Sequence, residues 1–450
     1  MKRAALLLFA VALLLPAGGT SAQRSSEDVG LPASVVNLSR AVATHEWLAV
    51  DAAGQPLQAV RWRAIKDTGN CCENHLATLP TGRLVDFGGT WLNYSDDEGR
   101  TWRQVRPIEP FAGGEGTVTM APNGDIIGIA WDVYSGDRIV AFKMEAATGA
   151  WTYMPNRLHM PFYDREWVSV VPGPHTIGAV TVPYITVLRG GWPSKDVWSY
   201  SLDGLTYSLM SNKAATGVAE VVSRWLPETE APMADWIQPI SESGVTPLPG
   251  GGALARRVDT LDSLPGVAGE WWIMDPGTLR WSRFTLGDGS NIPRGRMQMD
   301  STGAFHHVNV AGGTVTYRMS SDGGRSWQTQ EVALPADHTV EDWDMRANGA
   351  LGLGVVAVHA HRGGADQDLV LKFRTDCGAP EHTRTMLVGK GDLNVSAGLG
   401  ANLRFDFATT SILPDGRVAT SFMDSGHTTP AVAVELPPAE AQPEPEPCSS

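Results

Sequence analysis

The chain has 450 residues, of which 42% are apolar, enough to bury the core of a sizeable domain. Its 49 acidic and 35 basic side chains leave a formal net charge of −14 at pH 7. This charge argues against nucleic acid or an anionic membrane as a main partner, because both would repel an acidic surface. Four cysteines in so long a chain exclude a small disulfide scaffold.

The N-terminal segment has the pattern of a secretory signal. Lys2 and Arg3 form a charged start, an apolar run covers 4–16, and small residues at 20–22 suit a cleavage site. The apolar run is shorter than a membrane-spanning helix requires. We therefore predict a signal peptide at 1–22, a lead segment at 23–45 and a secreted or periplasmic protein with no membrane span.

A short motif occurs twice in full and once in shortened form. The spacing S-x-D-x-G-x-[ST]-W is found at 95–102 and 320–327, and a reduced copy lies at 201–207. In a tight hairpin, the Asp carboxylate accepts backbone N–H bonds and Gly supplies a positive φ, while Trp starts the return strand. The motif therefore predicts hairpins at these three places.

A second turn signal, usually containing Pro or Asn before Gly, recurs along the chain. It occurs at 79–82, 121–124, 171–174, 248–251, 300–303, 346–349 and 413–416. Weaker outer-turn signals interleave with it at 147–151, 275–277 and 373–377. Intervals such as 42 residues (80 to 122) and 50 residues (122 to 172) indicate blades of four antiparallel strands.

These patterns predict an all-β fold, a single propeller over 46–436. Seven turn signals favour seven blades, with six as the alternative. Because 418–436 is too short for a whole blade, N-terminal strands around 46–64 are expected to close the ring by pairing with the last blade. The interval 212–247 is predicted to be an insertion over one face of the propeller. The Pro/Glu-rich segment 437–450 is predicted to be a disordered tail.

Polar residues precede most of the seven turns, where first strands would enter a central channel. They are Glu73, Asn74, His75, Glu115, Asp164, Arg165, Glu166, Arg294, Arg296, Glu341, Asp342, Asp344, Arg404 and Asp406. Arginines hold carboxylates bidentately, and neighbouring acids acquire shifted pKa values that suit proton transfer. The alternative is a structural network of ion pairs around a water-filled channel.

The repeated motif resembles the Asp-box, or BNR, repeat of sialidase-like β-propellers. The segment 164–168 before a turn and the Pro-Asp-Gly turns are similar to those of secreted non-viral sialidases, over about 46–436. The resemblance implies the fold more than the reaction, since Asp-boxes occur on the rim of enzymes and non-enzymes alike.

Two departures separate the chain from ordinary sialidases. Such enzymes bind the substrate carboxylate with three arginines and use an Asp acid/base with a Tyr nucleophile helped by Glu. Here 72–74 reads Cys-Glu-Asn where the first arginine would stand in an Arg-Ile-Pro motif, and no Tyr follows Tyr317.

Two functions therefore remain open, and the sequence leaves undecided whether the chain is an enzyme. The first is an exported exo-glycosidase of sialidase type acting on an anionic, sialic-acid-like sugar. Its catalytic candidates are Glu73, His75, Glu115 and Asp164, and its substrate-binding candidates are Arg165, Arg294, Arg296, Asp342 and Arg404. A polysaccharide lyase with His75 as the base is a variant of this hypothesis.

The second function is a non-catalytic propeller that binds a glycan or a protein. In either case the expected ligand is a glycan or another anionic small molecule, and the expected state is a monomer. No cofactor or metal is predicted, although calcium remains possible, and the alternating His359 and His361 are too few for a metal site.

The four cysteines leave their pairing open. Cys71 and Cys72 are adjacent, so one of them is expected to pair with Cys377 or Cys448 in an exported protein. The alternative is that all four are unpaired.

Overall fold

A computed structural model describes most of the chain between residues 40 and 437. The described residues are 40–42, 44–65, 75–79, 81–89, 91–105, 116–131, 138–148, 150–153, 158–159, 167–177, 180–190, 197–210, 246–248, 253–257, 270–274, 281–285, 295–362, 365–366, 368–388, 409–424 and 429–437. They form 32 β-strands and a short 3₁₀ helix, Gly349–Leu351. Among them, no helix has the length and apolar character needed to cross a membrane.

The N-terminal half contains strands in groups that run antiparallel in chain order. Three strands precede the first group: β1 (Arg40–Ala41), β2 (Thr44–Asp51) and β3 (Pro56–Ile65). The first group is β4 (His75–Thr78), β5 (Leu84–Phe87), β6 (Leu92–Ser95) and β7 (Arg103–Val105). The second is β8 (Gly116–Met120), β9 (Ile126–Trp131), β10 (Arg138–Met144) and β11 (Trp151–Tyr153), with β12 (Leu158–His159) beside β10. The third is β13 (Trp167–Ile177), β14 (Val180–Gly190), β15 (Val197–Ser201) and β16 (Tyr207–Met210).

The C-terminal half continues the pattern. The fourth group is β17 (Thr246–Pro247), β18 (Ala253–Arg257), β19 (Glu270–Met274) and β20 (Trp281–Phe284). The fifth is β21 (Arg296–Met299), β22 (Phe305–Ala311), β23 (Thr314–Ser320) and β24 (Gln328–Ala333). The sixth is β25 (His338–Asn348), β26 (Leu353–Arg362), β28 (Asp368–Arg374) and β29 (Glu381–Val388), with β27 (Ala365–Asp366) beside β26. The last strands are β30 (Thr410–Ile412), β31 (Val418–Asp424) and β32 (Thr429–Glu435).

The N-terminal strands complete and connect these groups. β3 pairs antiparallel with β32, with Trp62 opposite Glu435, so it adds a fourth strand to the last group. β2 pairs with both β3 and β29, which joins the sixth and last groups into one ten-stranded sheet. β1 pairs with β7 of the first group. The predicted pairing of the N-terminal strands with the last group is thus present.

The groups pack in a propeller-like way, with their first strands together. Each first strand contacts the first strand of the next group: β4 with β8, β8 with β13, β13 with β17, β17 with β21, β21 with β25, β25 with β30, and β30 with β4. Apolar side chains fill the space between neighbouring sheets. Tyr317 of β23, for example, stacks on Phe373 of β28 with ring centroids 4.5 Å apart.

The three predicted hairpins form at the repeated motif. They join β6 to β7, β15 to β16 and β23 to β24, the third and fourth strands of their groups. In each, the Asp carboxylate accepts the backbone N–H of a residue three or four positions later: Thr101 to Asp97 at 2.7 Å, Thr206 to Asp203 at 2.7 Å and Ser326 to Asp322 at 2.9 Å. The same carboxylate also accepts the hydroxyl of that Thr or Ser.

Five of the seven turn signals lie between the first and second strands of their groups, as predicted, whereas 346–348 are the last residues of β25 and only Gly349 follows the strand. At four of them, a Gly N–H bonds the carbonyl three residues earlier: Gly82, Gly124, Gly303 and Gly416. The prediction for 171–174 is wrong. These residues lie inside the long strand β13, whose pairing with β14 continues to Ile177 opposite Val180. Because Pro172 has no N–H for the ladder, the register shifts between Pro172 and His175, and a bulge takes the place of a turn.

Cys377 lies in the turn between β28 and β29 and is disulfide-bonded. The predicted bond joins Cys71 or Cys72 to Cys377 or Cys448, and Cys71, Cys72 and Cys448 all lie outside the described residues. The bond at Cys377 shows that the alternative of four unpaired cysteines is wrong.

The first prediction concerns the contact between a hairpin of the first group and the last group. Gly99 has φ +86°, and a Cβ there would lie 2.7 Å from Cγ2 of Val434 in β32. Gly303 has a similar φ, +88°, but nothing within 4 Å of its Cβ position. Backbone strain should cost Gly303→Ala about 1–2 kcal/mol of unfolding free energy. Gly99→Ala should cost about 1–3 kcal/mol more, because of overpacking.

Urea unfolding of both variants measures this difference. Equal losses in the two proteins would contradict a close contact between the hairpin and β32.

Candidate functional site

A buried carboxylate joins three of the first strands. Asp344 of β25 is 1% exposed. Its Oδ1 accepts Nη1 of Arg296, the first residue of β21, and Nη1 of Arg346 at 2.8 Å. Its Oδ2 accepts the backbone N–H of Thr410, the first residue of β30, at 2.9 Å. Two ion pairs and a backbone hydrogen bond thus compensate the burial of this charge.

His75, the first residue of β4, faces the same cluster. Burial, reinforced by the positive charges of Arg346 and Arg296, lowers its pKa to about 4, although Asp344 and a hydrogen bond to the backbone of Val118 in β8 act in the opposite direction. The imidazole is therefore neutral at neutral pH. The cluster now includes side chains or backbone of five first strands: β4, β8, β21, β25 and β30.

Uncharged side chains link further first strands. Gln298 Oε1 accepts the backbone N–H of Ala347 at 2.9 Å, joining β21 to β25. Thr117 Oγ1 accepts the backbone N–H of Val168 at 3.1 Å, joining β8 to β13. Thr78 and Ser411 share a hydroxyl–hydroxyl contact between β4 and β30. Neighbouring first strands are therefore joined at the centre of the fold by hydrogen bonds between polar groups.

Arg346 differs from the other cluster residues in its exposure. Its side chain is 29% exposed, against 10% for Arg296. Nη1 of Arg346 donates both to Asp344 Oδ1 at 2.8 Å and to the carbonyl of Met345 at 2.7 Å. Within the described part of the chain, Nε and Nη2 of Arg346 have no hydrogen-bond partner. Among the described residues, only the Nη1 edge of this guanidinium has acceptors.

The structure brings together His75, Arg296 and Asp344, three of the residues singled out from sequence. Asp342 lies on β25 opposite His359 of β26, and its side chain, like that of Glu341, is not described. The remaining candidates lie outside the described residues: Glu73, Asn74, Glu115, Asp164, Arg165, Glu166, Arg294, Arg404 and Asp406. Sequence reasoning missed Arg346 because it begins a turn signal. Residues two positions apart on a strand lie on the same face, so the spacing of Arg346 from Asp344 was the available clue.

Two further sets of buried titratable groups lie within single groups of strands. His306 bonds Asp300 Oδ2 through Nε2 and the Tyr317 hydroxyl through Nδ1, both at 2.9 Å. Burial lowers the pKa of His306 in spite of this carboxylate, and burial raises that of Tyr317. His359 similarly contacts Asp368. These hydrogen bonds join strands and turns within one group, which indicates a structural role. No set of three or more metal-ligating side chains occurs among the described residues.

The second prediction concerns pH. The pKa of His75 falls from 6.5 to about 4 on folding, so between these values the unfolded state binds more protons. Stability therefore rises with pH through this window and is lost on acidification, by about 3 kcal/mol in all. In His75→Gln, the difference in unfolding free energy between pH 7 and pH 4.5 should shrink by about 2 kcal/mol.

Urea unfolding at the two pH values tests this. His306 and His382, whose pKa values burial also lowers, remain in the variant and should leave a residual dependence. An unchanged pH dependence in the variant would show that folding does not lower the pKa of His75.

No family model matches the sequence, and no curated protein matches it. Several solved structures do. A protein of unknown function from Dyadobacter fermentans is 12% identical with a TM-score of 0.42, covering 87% of this chain and 98% of that chain. An α-L-arabinofuranosidase from Fusarium graminearum, in complex with an iminosugar inhibitor, is 12% identical with a TM-score of 0.38, covering 72% and 92%. A mutant of the NanB sialidase from Streptococcus pneumoniae is 11% identical with a TM-score of 0.35, covering 83% and 70%. These values are too low to carry an argument about activity.

Proposed function

We propose that this chain is an exported, sialidase-like propeller of seven blades that acts on an anionic sugar at the mouth of its central channel. The blades would be the seven groups of strands. Contacts between their first strands support this count, including the contact of β30 with β4. The pairing of β3 with β32 would close the ring by completing the last blade. The shared hydrogen bonds of the three hairpins support their assignment as Asp-boxes.

The central cluster carries the functional proposal. Arg296 and Arg346 share the single carboxylate of Asp344, and His75 is neutral at neutral pH, so these four side chains hold an excess of one positive charge. The whole chain, by contrast, carries −14. This positive charge among the described central side chains of an acidic protein favours a small anion over a large acidic partner.

Catalysis would fall to carboxylates rather than to His75. General acid–base catalysis works best with a pKa near the working pH, and a pKa of about 4 makes His75 a weak base at pH 7. Asp164, with Glu115 or Glu73, would then protonate the leaving oxygen and assist attack at the sugar. Arg165, Arg294, Arg404 and Asp342 would bind the substrate beside Arg296. Burial of Asp344 under three hydrogen bonds suits a supporting role for that residue.

A non-catalytic glycan-binding propeller is the second candidate. Two observations favour it: the low pKa of His75, and the three hydrogen bonds that the Asp344 carboxylate already accepts. Among the described residues of the cluster, neither group is suited to proton transfer at neutral pH, although Arg346 can still bind an anion.

The third prediction tests turnover. Purified protein lacking residues 1–22 would be assayed with a fluorogenic sialoside and a panel of acidic polysaccharides, following both hydrolysis and unsaturated uronate products. We expect activity against at least one substrate, and loss of the acid/base in Asp164→Ala should lower kcat by about 100-fold or more. Arg294→Ala should mainly raise KM. Asp96→Ala, which removes a 54% exposed carboxylate at a rim hairpin, is the matched control and should leave turnover unchanged.

The outcomes separate the candidates. Sialoside hydrolysis supports the glycosidase, and unsaturated uronate products support the lyase. Binding of a panel member without turnover, weakened in Arg294→Ala, supports the binding propeller. The absence of both turnover and binding for every member of the panel would overturn the proposal.

A further inference from the structure

We propose that the disulfide of Cys377 joins this residue to Cys448, so that the C-terminal segment is covalently tied to the sixth group of strands. Cys377 is disulfide-bonded, and the chain offers three other cysteines as its partner: Cys71, Cys72 and Cys448. The positions at which the described strands begin and end favour Cys448. This assignment does not depend on the proposed function.

Cys377 lies at the end of the sheets where first strands turn into second strands, which we call the turn end. The backbone N–H of Thr375 donates to the carbonyl of Gly352 at 2.8 Å, and a Cβ at Gly352 would lie 2.6 Å from the Cβ of Asp376. Gly352 closes the turn between β25 and β26, the first two strands of the sixth group. The turn that contains Cys377 therefore packs against this inner turn.

The last described strand, β32, also ends at the turn end. Nζ of Lys372 in β28 donates to the carboxylate of Glu435, the last residue of β32, at 2.6 Å. It also donates to the carbonyl of Gly416, in the inner turn after β30, at 3.2 Å. Lys372 precedes Cys377 by five residues, no more than about 17 Å of strand. The chain therefore leaves the last group close to the turn that contains Cys377.

The segment beyond β32 is long enough to cover this distance. Eleven residues lead from Pro437 to Cys448. Even at the rise of a polyproline II chain they span about 34 Å. A disulfide requires Cα atoms no more than about 7 Å apart. Cys448 can therefore reach Cys377 without a fully extended path.

The two adjacent cysteines belong to segment 66–74, whose flanking residues lie at the opposite end of the sheets. β3 runs antiparallel to β32, with Trp62 opposite Glu435, so its last residue, Ile65, lies away from the turn end. β4 begins at His75 and runs toward its inner turn, so His75 also lies away from the turn end. Both attachment points of the segment are thus far from the turn after β28.

The short distance from His75 restricts these two cysteines further. Cys72 and Cys71 precede His75 by three and four residues, at most about 11 and 14 Å of extended chain. From Asp344, in the cluster that His75 faces, the turn after β28 lies about 16 Å along the strands and about 12 Å across them, so about 20 Å away. A straight path would also cross β26, whose residues 355–358 are at most 3% exposed. Packing therefore excludes the short path, and a path around the sheet is longer still.

Formation of the bond requires an oxidant. The two thiols lose two protons and two electrons as the S–S bond forms, and a disulfide-bearing oxidant takes them up and becomes a dithiol. The signal peptide predicted at 1–22 would deliver the chain to a compartment that contains such oxidants. The bond would hold the Pro/Glu-rich segment at the turn end, away from His75, and would leave Cys71 and Cys72 outside it.

Peptide mapping of the exported protein identifies the partner. Free thiols are blocked with N-ethylmaleimide at mildly acidic pH, and the protein is then unfolded and cut with trypsin without reduction. Cleavage after Lys and Arg places Cys71 and Cys72 in peptide 67–83, Cys377 in peptide 375–384 and Cys448 in peptide 418–450. We expect mass spectrometry to find 375–384 linked to 418–450, and the two peptides separate after reduction.

Two variants provide a matched comparison. Cys448→Ser should leave Cys377 as a thiol, detected as a maleimide adduct of peptide 375–384. Its urea midpoint should fall to that of the reduced wild type, because the bond no longer constrains the unfolded chain. The control, Cys71→Ser/Cys72→Ser, should keep the link between 375–384 and 418–450, and its midpoint should fall on reduction as in the wild type.

Three results would overturn the assignment. A link between 375–384 and 67–83 would give the bond to Cys71 or Cys72. A link between two copies of 375–384 would make the bond intermolecular. A maleimide adduct on Cys377 of the wild type would show that no bond forms. None of these results involves turnover or ligand binding, so this assignment and the proposed function can fail separately.

Discussion

The buried carboxylate of Asp344 is the interaction on which the centre of this protein depends. It accepts two guanidinium groups and a backbone N–H, and these donors belong to β21, β25 and β30. A charge that is 1% exposed is tolerated only when hydrogen bonds replace its water. Without the carboxylate, two arginines would lose their shared partner and three first strands would lose their common acceptor. The same group therefore organises the fold and the site.

The outer parts of the sheets hold this centre in place through contacts between neighbours. Lys372 of β28 bonds Glu435 of β32 at 2.6 Å, and Lys143 of β10 bonds the carbonyl of Asp203 in the next hairpin at 3.3 Å. Gly99 lets its hairpin lie against Val434. Such contacts fix the spacing of adjacent sheets and so pre-organise the central side chains, which reduces the ordering cost of binding a ligand.

Local physical rules made much of the fold predictable. The hairpins at 95–102, 201–207 and 320–327 depend on a carboxylate, a glycine and a hydroxyl at fixed spacing, all of which are visible in the chain. The same holds for five of the seven inner turns. The expectation that a Pro/Gly signal marks a turn between two strands was wrong at 171–174. Pairing with β14 continues beyond these residues, so they form a bulge within β13. At the site, counting back from the turns found His75, Arg296 and Asp344 but passed over Arg346.

The sequence by itself determined the strand-and-turn pattern, the all-β class and the polar character of the residues that precede the turns. These properties follow from interactions between residues close in the chain. Only the tertiary structure decided which polar groups meet, since Arg296 and Asp344 are separated by 48 residues and Asp344 and Thr410 by 66. It also decided that the pKa of His75 is lowered, because burial and two nearby arginines act on the imidazole only after folding. The contacts of Arg346 Nη1 with Asp344 and the Met345 carbonyl likewise form only in the folded sheet.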